Sequence, residues 1–199
     1  MNYSVPQKTL LDEQIIKKSR FITHIARATN KTEAKTYIQN IKAEYPDARH
    51  HCWAYIAGQP TATTDIGFSD DGEPSGTAGK PILNVLQHRG IGEIVLVVVR
   101  YFGGIKLGAG GLVRAYSSSA SLAMDKLETI KLIASKDFTI HFAYHLENNI
   151  KHVLEAHLAH INQASYTDRV ALNFTVAEEQ IQTLDAQLIN ISAGKVALL

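Results

Sequence analysis

The sequence contains little that would support a disulfide, a membrane span or a secretory signal. Cys52 is the only cysteine among 199 residues, so no internal disulfide can form and a thiolate metal cage has too few ligands. The longest apolar run, Ile94 to Val99, is far shorter than the roughly 20 residues that span a membrane. The opening MNYSVPQKTLLDEQ lacks the basic-then-apolar order of a signal peptide. We therefore expect a soluble, cytoplasmic protein with no membrane partner.

An excess of one charge is also missing. The chain has 20 Lys and Arg against 19 Asp and Glu, which excludes a polycation that coats nucleic acid through charge alone. The charges are unevenly divided: residues 1–128 hold 15 basic and 12 acidic side chains, whereas residues 129–199 hold 5 and 7. This division predicts two units with different surfaces, although two ordinary solvated domains would also produce it. The length accommodates one large domain or two small ones.

Hydrophobic periodicity predicts an α+β fold for the first part of the chain. Ile94 to Val99 is wholly apolar and mostly β-branched, so we expect a central strand that is buried on both faces. The other predicted elements are a hairpin (Leu10 to Ile16 with Phe21 to Ala28), a helix from an Asn30 cap to about Pro46, a strand (His51 to Ala57), a long loop (Gly58 to Glu73), a helix from about Thr77 to Arg89, and a helix through Leu112 to Ala123.

The last seventy residues follow a different pattern. They predict a strand (Lys136 to Ala143), a helix (Leu146 to Leu158), two strands (about Asn162 to Thr167 and Val170 to Val176), a helix (Ile181 to Ile191) and a final strand (Lys195 to Leu199). This βαββαβ order is that of a ferredoxin-like domain. We therefore predict two domains, residues 1–130 and 131–199.

One acidic loop precedes a predicted helix. The segment SDDGEPSGTAGKP places Asp70, Asp71 and Glu73 before the helix start, where Lys80 also lies. Carboxylates stabilise a helix N-terminus because its N–H groups are unpaired and partly positive. The alternative is a site for magnesium or calcium. We favour capping, because the loop lacks the twelve-residue calcium spacing and no distant ligand can be named. Pro74 and Pro81 exclude a Walker phosphate loop.

A glycine-rich turn follows the central strand, in VVVRYFGGIKLGAGGLVRAY. Such a turn lets backbone N–H groups approach an anion, with Lys106 and Arg114 adding charge. Val113 stands where a GxGxxG motif needs its last glycine, so dinucleotide binding has weak support. A tight turn with several positive φ angles is the structural alternative.

The motif Arg100-Tyr101-Phe102 ends the central strand. An arginine beside aromatic rings can contact phosphate and stack on bases. Alternatively, Arg100 pairs with a carboxylate such as Asp71 or Glu73, which would join the two loops into one site. A third cluster, His50 with Cys52, could form a Cys–His pair on one strand face, but no orienting group is identifiable. We predict no catalytic residue, no metal site and no cofactor.

Three motifs resemble the IMPACT family: DGEPSGTAGK (Asp71 to Lys80), VVVRYFGGIKLG (Val97 to Gly108) and GLVRAY (Gly111 to Tyr116). The two-part length is similar to that of its bacterial members. The resemblance implies a first domain like the second domain of small-subunit ribosomal protein S-five, with a left-handed βαβ unit. It also implies a second domain like a ferredoxin-like domain of elongation factor G.

The resemblance implies a role in translation but no catalytic residues. Eukaryotic relatives regulate translation by competing for an activator of a general-control kinase, largely through an additional amino-terminal domain that we expect to be absent here. The family motif positions in this chain are Asp71, Glu73, Pro74, Gly76, Arg100, Tyr101, Phe102, Gly103, Gly104, Gly108 and Arg114.

Two functions remain open on this basis. The first is a non-enzymatic, translation-associated protein that binds RNA or the ribosome; the second is an enzyme or sensor for a nucleotide or another small phosphorylated ligand. We favour the first, because the first domain carries a net positive charge and translation-factor-like folds are implied. The predicted binding residues are Asp71, Glu73, Lys80, Arg100, Tyr101, Phe102, Gly103, Gly104, Lys106, Gly108 and Arg114.

Overall fold

The computed structural model describes residues 2–63 and 65–198. Its contacts divide into two compact units, one of Tyr3–Leu132 and one that starts at Ile133 and includes Asn2. Both units combine helices with antiparallel sheets, so the predicted α+β class is confirmed. Within the described residues, no helix is long and apolar enough to cross a membrane.

The first unit contains a five-stranded antiparallel sheet in the order β2-β3-β6-β4-β5, and a separate pair, β1 with β7. The strands are β1 (Tyr3–Pro6), β2 (Leu10–Ile16), β3 (Ser19–Arg27), β4 (His50–Ile56), β5 (Ile66–Ser69), β6 (Ile94–Tyr101) and β7 (Thr129–Leu132). The helices are α1 (Lys31–Glu44), α2 (Gly79–Arg89) and α3 (Ala109–Lys126).

Strand β6 is the centre of this sheet, as its apolar sequence predicted. Successive side chains of a strand point to opposite faces. Leu96 and Val98 therefore pack in the core under α2 and α3, whereas Val95, Val97 and Val99 pack in the core under α1. All five side chains are fully buried. Helices cover both sheet faces at this strand, so Arg100 near its end is held in a defined position.

Local signals set the ends of several elements. The Asn30 Oδ1 atom accepts the Glu33 N–H at 2.9 Å, which confirms the predicted cap of α1. The Glu33 carboxylate in turn accepts the N–H of Thr29 at 2.8 Å. Between β2 and β3, Lys17 and Lys18 both have positive φ, 44° and 66°, which is the backbone of a tight hairpin turn.

Two predictions for the first unit were incomplete. The loop predicted from Gly58 to Glu73 contains strand β5, which pairs with β4 so that Trp53 lies opposite Ser69. Strand β5 is only four residues long and lies at the sheet edge, so it carries too little periodicity to be recognised. Strands β1 and β7 were also missed, because each is four residues long and its partner lies more than a hundred residues away.

The second unit packs two helices against a three-stranded antiparallel sheet in the order β8-β10-β9. Its elements are β8 (Ser135–Phe142), α4 (Glu147–Ala156), β9 (His160–Tyr166), β10 (Val170–Ala177) and α5 (Ile181–Ile191). Strand β10 alternates buried and half-buried residues along its whole length. Its buried side chains form one core with residues of α4 and α5.

The predicted last strand of the βαββαβ order is wrong for residues 195–198, which form no strand. Two of their N–H groups donate to side chains near or within α5 instead of to a neighbouring strand. The Val196 N–H donates to Ser192 Oγ at 2.9 Å, and the Leu198 N–H donates to Asp185 Oδ1 at 2.6 Å. Leu199, the end of the predicted strand, lies outside the described residues. The described order of the second unit is therefore βαββα.

Candidate functional site

A pocket of about 320 Å³ lies where the acidic loop, the end of β6 and the start of α3 meet. Five residues predicted from the sequence line it: Glu73, Arg100, Phe102, Lys106 and Gly108. Six further residues complete the lining: Arg49, His50, Pro74, Leu107, Ala109 and Leu112. Three cationic side chains thus face this pocket together with one carboxylate.

A buried ion pair forms one wall of the pocket. The Arg100 Nη1 atom donates to Glu73 Oε1 at 2.5 Å, and only 7% and 4% of the two side chains are exposed. This contact confirms the predicted pairing of Arg100 with a loop carboxylate and selects Glu73. It also joins the acidic loop to β6. Tyr116 of α3 donates its hydroxyl to the same Glu73 oxygen at 2.8 Å, so the carboxylate connects three segments.

Cys52 lies behind this pair and is not paired with His50. Its Sγ atom lies within hydrogen-bond distance of the backbone oxygen of Asp70, at 2.9 Å, and of the hydroxyl of Tyr116, at 3.3 Å. Burial raises the pKa of the Cys52 thiol despite the hydrogen bond with Tyr116. Burial, together with Cys52 and Glu73, likewise holds the pKa of Tyr116 well above its usual value. Both groups stay protonated, so Cys52 has the character of a core residue.

Asp71 was predicted to belong to the site, but its carboxylate faces a different set of partners. Its Oδ1 atom accepts from Lys42 Nζ of α1 at 2.7 Å, and its Oδ2 atom accepts from the His51 N–H at 2.7 Å. Burial opposes ionisation, yet Lys42 and His51 together lower the pKa of Asp71. Asp71 fastens the acidic loop to α1 and β4, and it does not line the pocket.

The first carboxylate of the loop, Asp70, caps α2, which confirms the predicted capping role. Its Oδ1 atom accepts the N–H groups of Ala78 and Gly79 at 3.0 and 2.8 Å, and its Oδ2 atom accepts that of Gly76 at 2.8 Å. Burial alone would raise the pKa of Asp70, but the three N–H donors lower it. For the alternative of a metal site, the described residues contain no group of three His, Cys, Asp or Glu side chains placed to hold a metal ion.

Replacing Asp70 with alanine is expected to destabilise the first unit by about 1–2 kcal/mol at neutral pH, as for other lost N-caps. Because the folded pKa of Asp70 lies below the unfolded value of about 4, its stabilisation is present above that pH and disappears as pH falls through the folded pKa. The difference in free energy of unfolding between the parent chain and Asp70→Ala should therefore become smaller on acidification. Urea unfolding followed by fluorescence of Trp53, the single tryptophan, measures it.

The control for this prediction is Asp65→Ala, which removes an exposed carboxylate just before β5 without touching a helix end. It should change stability by no more than about 0.5 kcal/mol at either pH. If Asp70→Ala lost as much stability in acid as at neutral pH, the stabilisation of α2 by the ionised Asp70 carboxylate would be contradicted.

The side chains of the Arg100-Tyr101-Phe102 motif point to two different faces of the sheet. The Arg100 guanidinium lies between the rings of Phe21 and Phe102, at 5.6 and 5.7 Å from their centroids. Phe102 is 53% exposed and borders the pocket, so its ring is available to a ligand. Tyr101 instead donates its hydroxyl to Asp47 at 2.8 Å, away from the pocket lining. Neighbouring residues of a strand point in opposite directions, which explains the separation.

The glycines after β6 serve three different purposes. A Cβ atom on Gly103 would lie 2.0 Å from the backbone of Lys18, so this glycine permits close contact with the β2–β3 turn. Gly104 and Gly108 have φ of 87° and 71°, which favours glycine. Gly108 is also the N-cap of α3 and provides no side-chain cap. The predicted turn geometry is confirmed at two positions, and Gly108 alone of these three lines the pocket.

Two predicted cations lie elsewhere. Lys80, in the first turn of α2, lies 5.7 Å from the centroid of the Phe68 ring. Arg114, one turn into α3, lines a separate cavity with Lys17. Neither lines the same pocket as Arg100. The pairing of β4 with β6, which sets His50 opposite Arg100, instead brings Arg49 to the pocket. Sequence reasoning missed Arg49 because that pairing joins residues fifty positions apart.

These observations define a two-unit α+β protein whose family motifs converge on one basic, partly aromatic pocket. Two family models match the chain, the Impact N-terminal domain over residues 17–124 and a domain of unknown function, DUF1949, over residues 140–195. The chain belongs to the IMPACT family, which confirms the resemblance of its three motifs.

Two curated relatives are similar along nearly their whole length. IMPACT family member YigZ of Escherichia coli (strain K12) is 40% identical, with 100% of this chain and 97% of that protein covered. An IMPACT family member of Haemophilus influenzae is 39% identical, with 98% and 95% covered. A solved structure titled "Crystal structure of an hypothetical protein" has 40% identity and a TM-score of 0.68, with 100% of this chain and 96% of that chain covered.

Proposed function

We propose that this protein is a non-enzymatic, cytoplasmic RNA-binding protein that acts in translation, and that the pocket described above contacts the RNA. Membership of the IMPACT family supports translation as the process. We also propose that the first unit has the S-five domain 2-like fold and that the second is a ferredoxin-like domain without its last strand. The ribosome is a source of such RNA.

The observation that carries the proposal is the convergence of cations and an exposed ring on one pocket. Arg49, Arg100 and Lys106 provide positive charge, and Phe102 provides a stacking surface beside them. Phosphate contacts supply most of the affinity for nucleic acid, while aromatic rings stack on unpaired bases.

The test is binding of a single-stranded oligoribonucleotide, or of ribosomal subunits, across a salt series. Binding should be saturable at low salt and weaken as salt rises. The double variant Arg49→Ala/Lys106→Ala should bind less tightly, and the slope of log affinity against log salt should decrease by about 0.7 per lost phosphate contact. Lys35→Ala is the matched control, because Lys35 is an exposed lysine on α1, the helix on the opposite sheet face.

A second pair of variants tests stacking. Phe102→Ala should weaken RNA binding by roughly 5- to 150-fold, since stacking one base contributes about 1–3 kcal/mol. Phe68→Ala is the control, because Phe68 is similarly exposed at 46% and lies outside the pocket lining. Absence of saturable binding at low salt would refute the proposal. If Phe102→Ala and Phe68→Ala lost equal RNA affinity, the RNA would bind outside this pocket.

A further inference from the structure

We propose that the second unit contains a binding site for a small phosphate monoester, in a pocket formed by the end of β8, the turn between β9 and β10, and the segment after α5. The pocket has a volume of about 410 Å³, within the range of about 300–1,000 Å³ that is usual for ligand pockets. Its lining residues all belong to the second unit: His141, Phe142, Ala143, His145, Leu146, Arg169, Lys195 and Val196. The proposal is therefore independent of the RNA pocket, whose lining residues all belong to the first unit.

The pocket presents donors to a ligand and no carboxylate. Four of its eight lining side chains carry nitrogen donors, and none of the eight is acidic. Arg169 and Lys195 are exposed, and within the described part of the chain neither side chain forms an ion pair or a hydrogen bond. His141 and His145 add ring N–H groups, which can also donate to an anion. An oxyanion that enters the pocket thus meets donors that are accessible and have no other acceptor.

This concentration of positive charge runs against the composition of the unit. Residues 133–198 contain four Lys and Arg side chains and seven Asp and Glu side chains. Two of the four cations line this pocket, and a third, Lys151, pairs with Glu147 at 2.6 Å. None of the seven carboxylates lines the pocket. The acidic surroundings repel a long polyanion such as RNA, whereas a small anion can reach the cations inside the pocket.

Hydrogen bonds hold the segments that carry these cations. The Tyr144 hydroxyl donates to the backbone oxygen of Thr167 at 2.5 Å, which fastens the β9–β10 turn to the segment after β8. After α5, the Val196 N–H donates to Ser192 Oγ at 2.9 Å, so the backbone beside Lys195 is also fixed. Because the backbone is already ordered, a ligand has less conformational entropy to remove when it binds.

The charge and the walls of the pocket favour a phosphate monoester. Arg169 and Lys195 provide two full positive charges, and a phosphate monoester is close to a dianion at neutral pH. Arginine and lysine side chains are both usual ligands of phosphate. Phe142 and Val196 line the pocket and are buried, so they offer an apolar surface to the carbon skeleton of an ester. Inorganic phosphate carries the same oxygens but cannot make that apolar contact.

The test is a titration of the full chain with glycerol phosphate, followed through the backbone amide signals in two-dimensional NMR spectra. We expect saturable shifts at Ala143, Arg169 and Val196, which line the pocket, and no shifts with glycerol. Inorganic phosphate should shift the same amides at higher concentrations. Succinate, a dicarboxylate, should bind more weakly than glycerol phosphate, and a hydroxyl-ended oligoribonucleotide should leave these amides unchanged.

A pair of double variants assigns the binding to this pocket. Arg169→Ala/Lys195→Ala should bind glycerol phosphate at least about tenfold more weakly, the loss expected for one charge-assisted hydrogen bond. Both side chains are exposed, so the substitutions should leave the fold intact. Lys131→Ala/Lys136→Ala is the matched control, because it also removes two exposed cations and neither lysine lines the pocket.

Each contrary outcome overturns a stated part of the proposal. If no amide of the pocket shifted saturably up to about 10 mM glycerol phosphate, where a millimolar complex would be mostly formed, the site would be refuted. Equal losses in the two double variants would refute it as well. Equal affinity for succinate would overturn phosphate as the recognised group, and equal affinity for inorganic phosphate would overturn the ester. Shifts of the same amides with the oligoribonucleotide would overturn a small-molecule ligand. RNA binding by the first unit is measured separately, so its failure would not alter this result.

Discussion

Replacing Arg100 with methionine is expected to lower the free energy of unfolding of the first unit by about 3–5 kcal/mol. The change leaves the Glu73 carboxylate buried without its cation, and an uncompensated buried charge is among the most costly defects in a protein. Methionine fills similar space between Phe21 and Phe102, so little of the loss would come from a cavity. Urea unfolding followed by Trp53 fluorescence reports on this unit alone, since Trp53 lies in β4.

The double variant Arg100→Met/Glu73→Gln separates the ion pair from the packing. Glutamine removes the charge but retains an oxygen that can accept from Tyr116. Replacing both partners of a buried pair by neutral groups is often close to neutral, so the double variant should recover most of the stability. Arg89→Met is the surface control, because Arg89 pairs with Asp125 in solvent and should change stability by less than about 1 kcal/mol.

If Arg100→Met lost no more stability than Arg89→Met, a buried ion pair between Arg100 and Glu73 would be contradicted. A double variant as unstable as the single one would instead assign the loss to packing of Arg100 between the two rings. The pair also matters for function, because it positions the acidic loop beside the pocket. A stable double variant would be expected to bind RNA more weakly, since the Arg100 guanidinium is gone from the pocket.

Patterns within short stretches predicted most of the elements, because their signals are local. The run from Ile94 to Val99 predicted a doubly buried strand, and Asn30 with Glu33 predicted the start of α1. Strand β5 has four residues and the β1–β7 pair joins distant segments, so neither had such a signal. The predicted strand at Lys195 failed because Ser192 and Asp185 bind the N–H groups that a neighbouring strand would have bound.

The site was only partly predictable for a related reason. The acidic loop contains three carboxylates within four positions, and each one binds a different segment: Asp70 caps α2, Asp71 binds α1 and β4, and Glu73 binds Arg100. Their residue types indicate capping or ion pairing in general. Which carboxylate takes which partner depends on the left-handed turn at Asp71 and Gly72 and on the sheet order. Both are properties of the folded chain.

Replacing Gly103 with alanine is expected to destabilise the first unit by about 3 kcal/mol or more. The added Cβ atom would lie 2.0 Å from the carbonyl carbon and oxygen of Lys18 and 2.4 Å from the N atom of Ser19. The hairpin turn and the segment after β6 cannot move apart easily. Ser19 Oγ accepts the Gly103 N–H at 3.2 Å, and β3 pairs with β6 along the whole of β6. Forced overpacking against backbone costs more than the usual 1–3 kcal/mol for a methylene.

Gly104→Ala provides the matched control next to it. A Cβ atom there meets nothing within 4 Å, and only its φ of 87° opposes the substitution, so the cost should be about 1–2 kcal/mol. The Gly103→Ala chain should also bind RNA more weakly, because moving Gly103 shifts Phe102 beside it. Equal stability losses for the two variants would contradict the close contact with the hairpin turn as the reason for glycine at position 103.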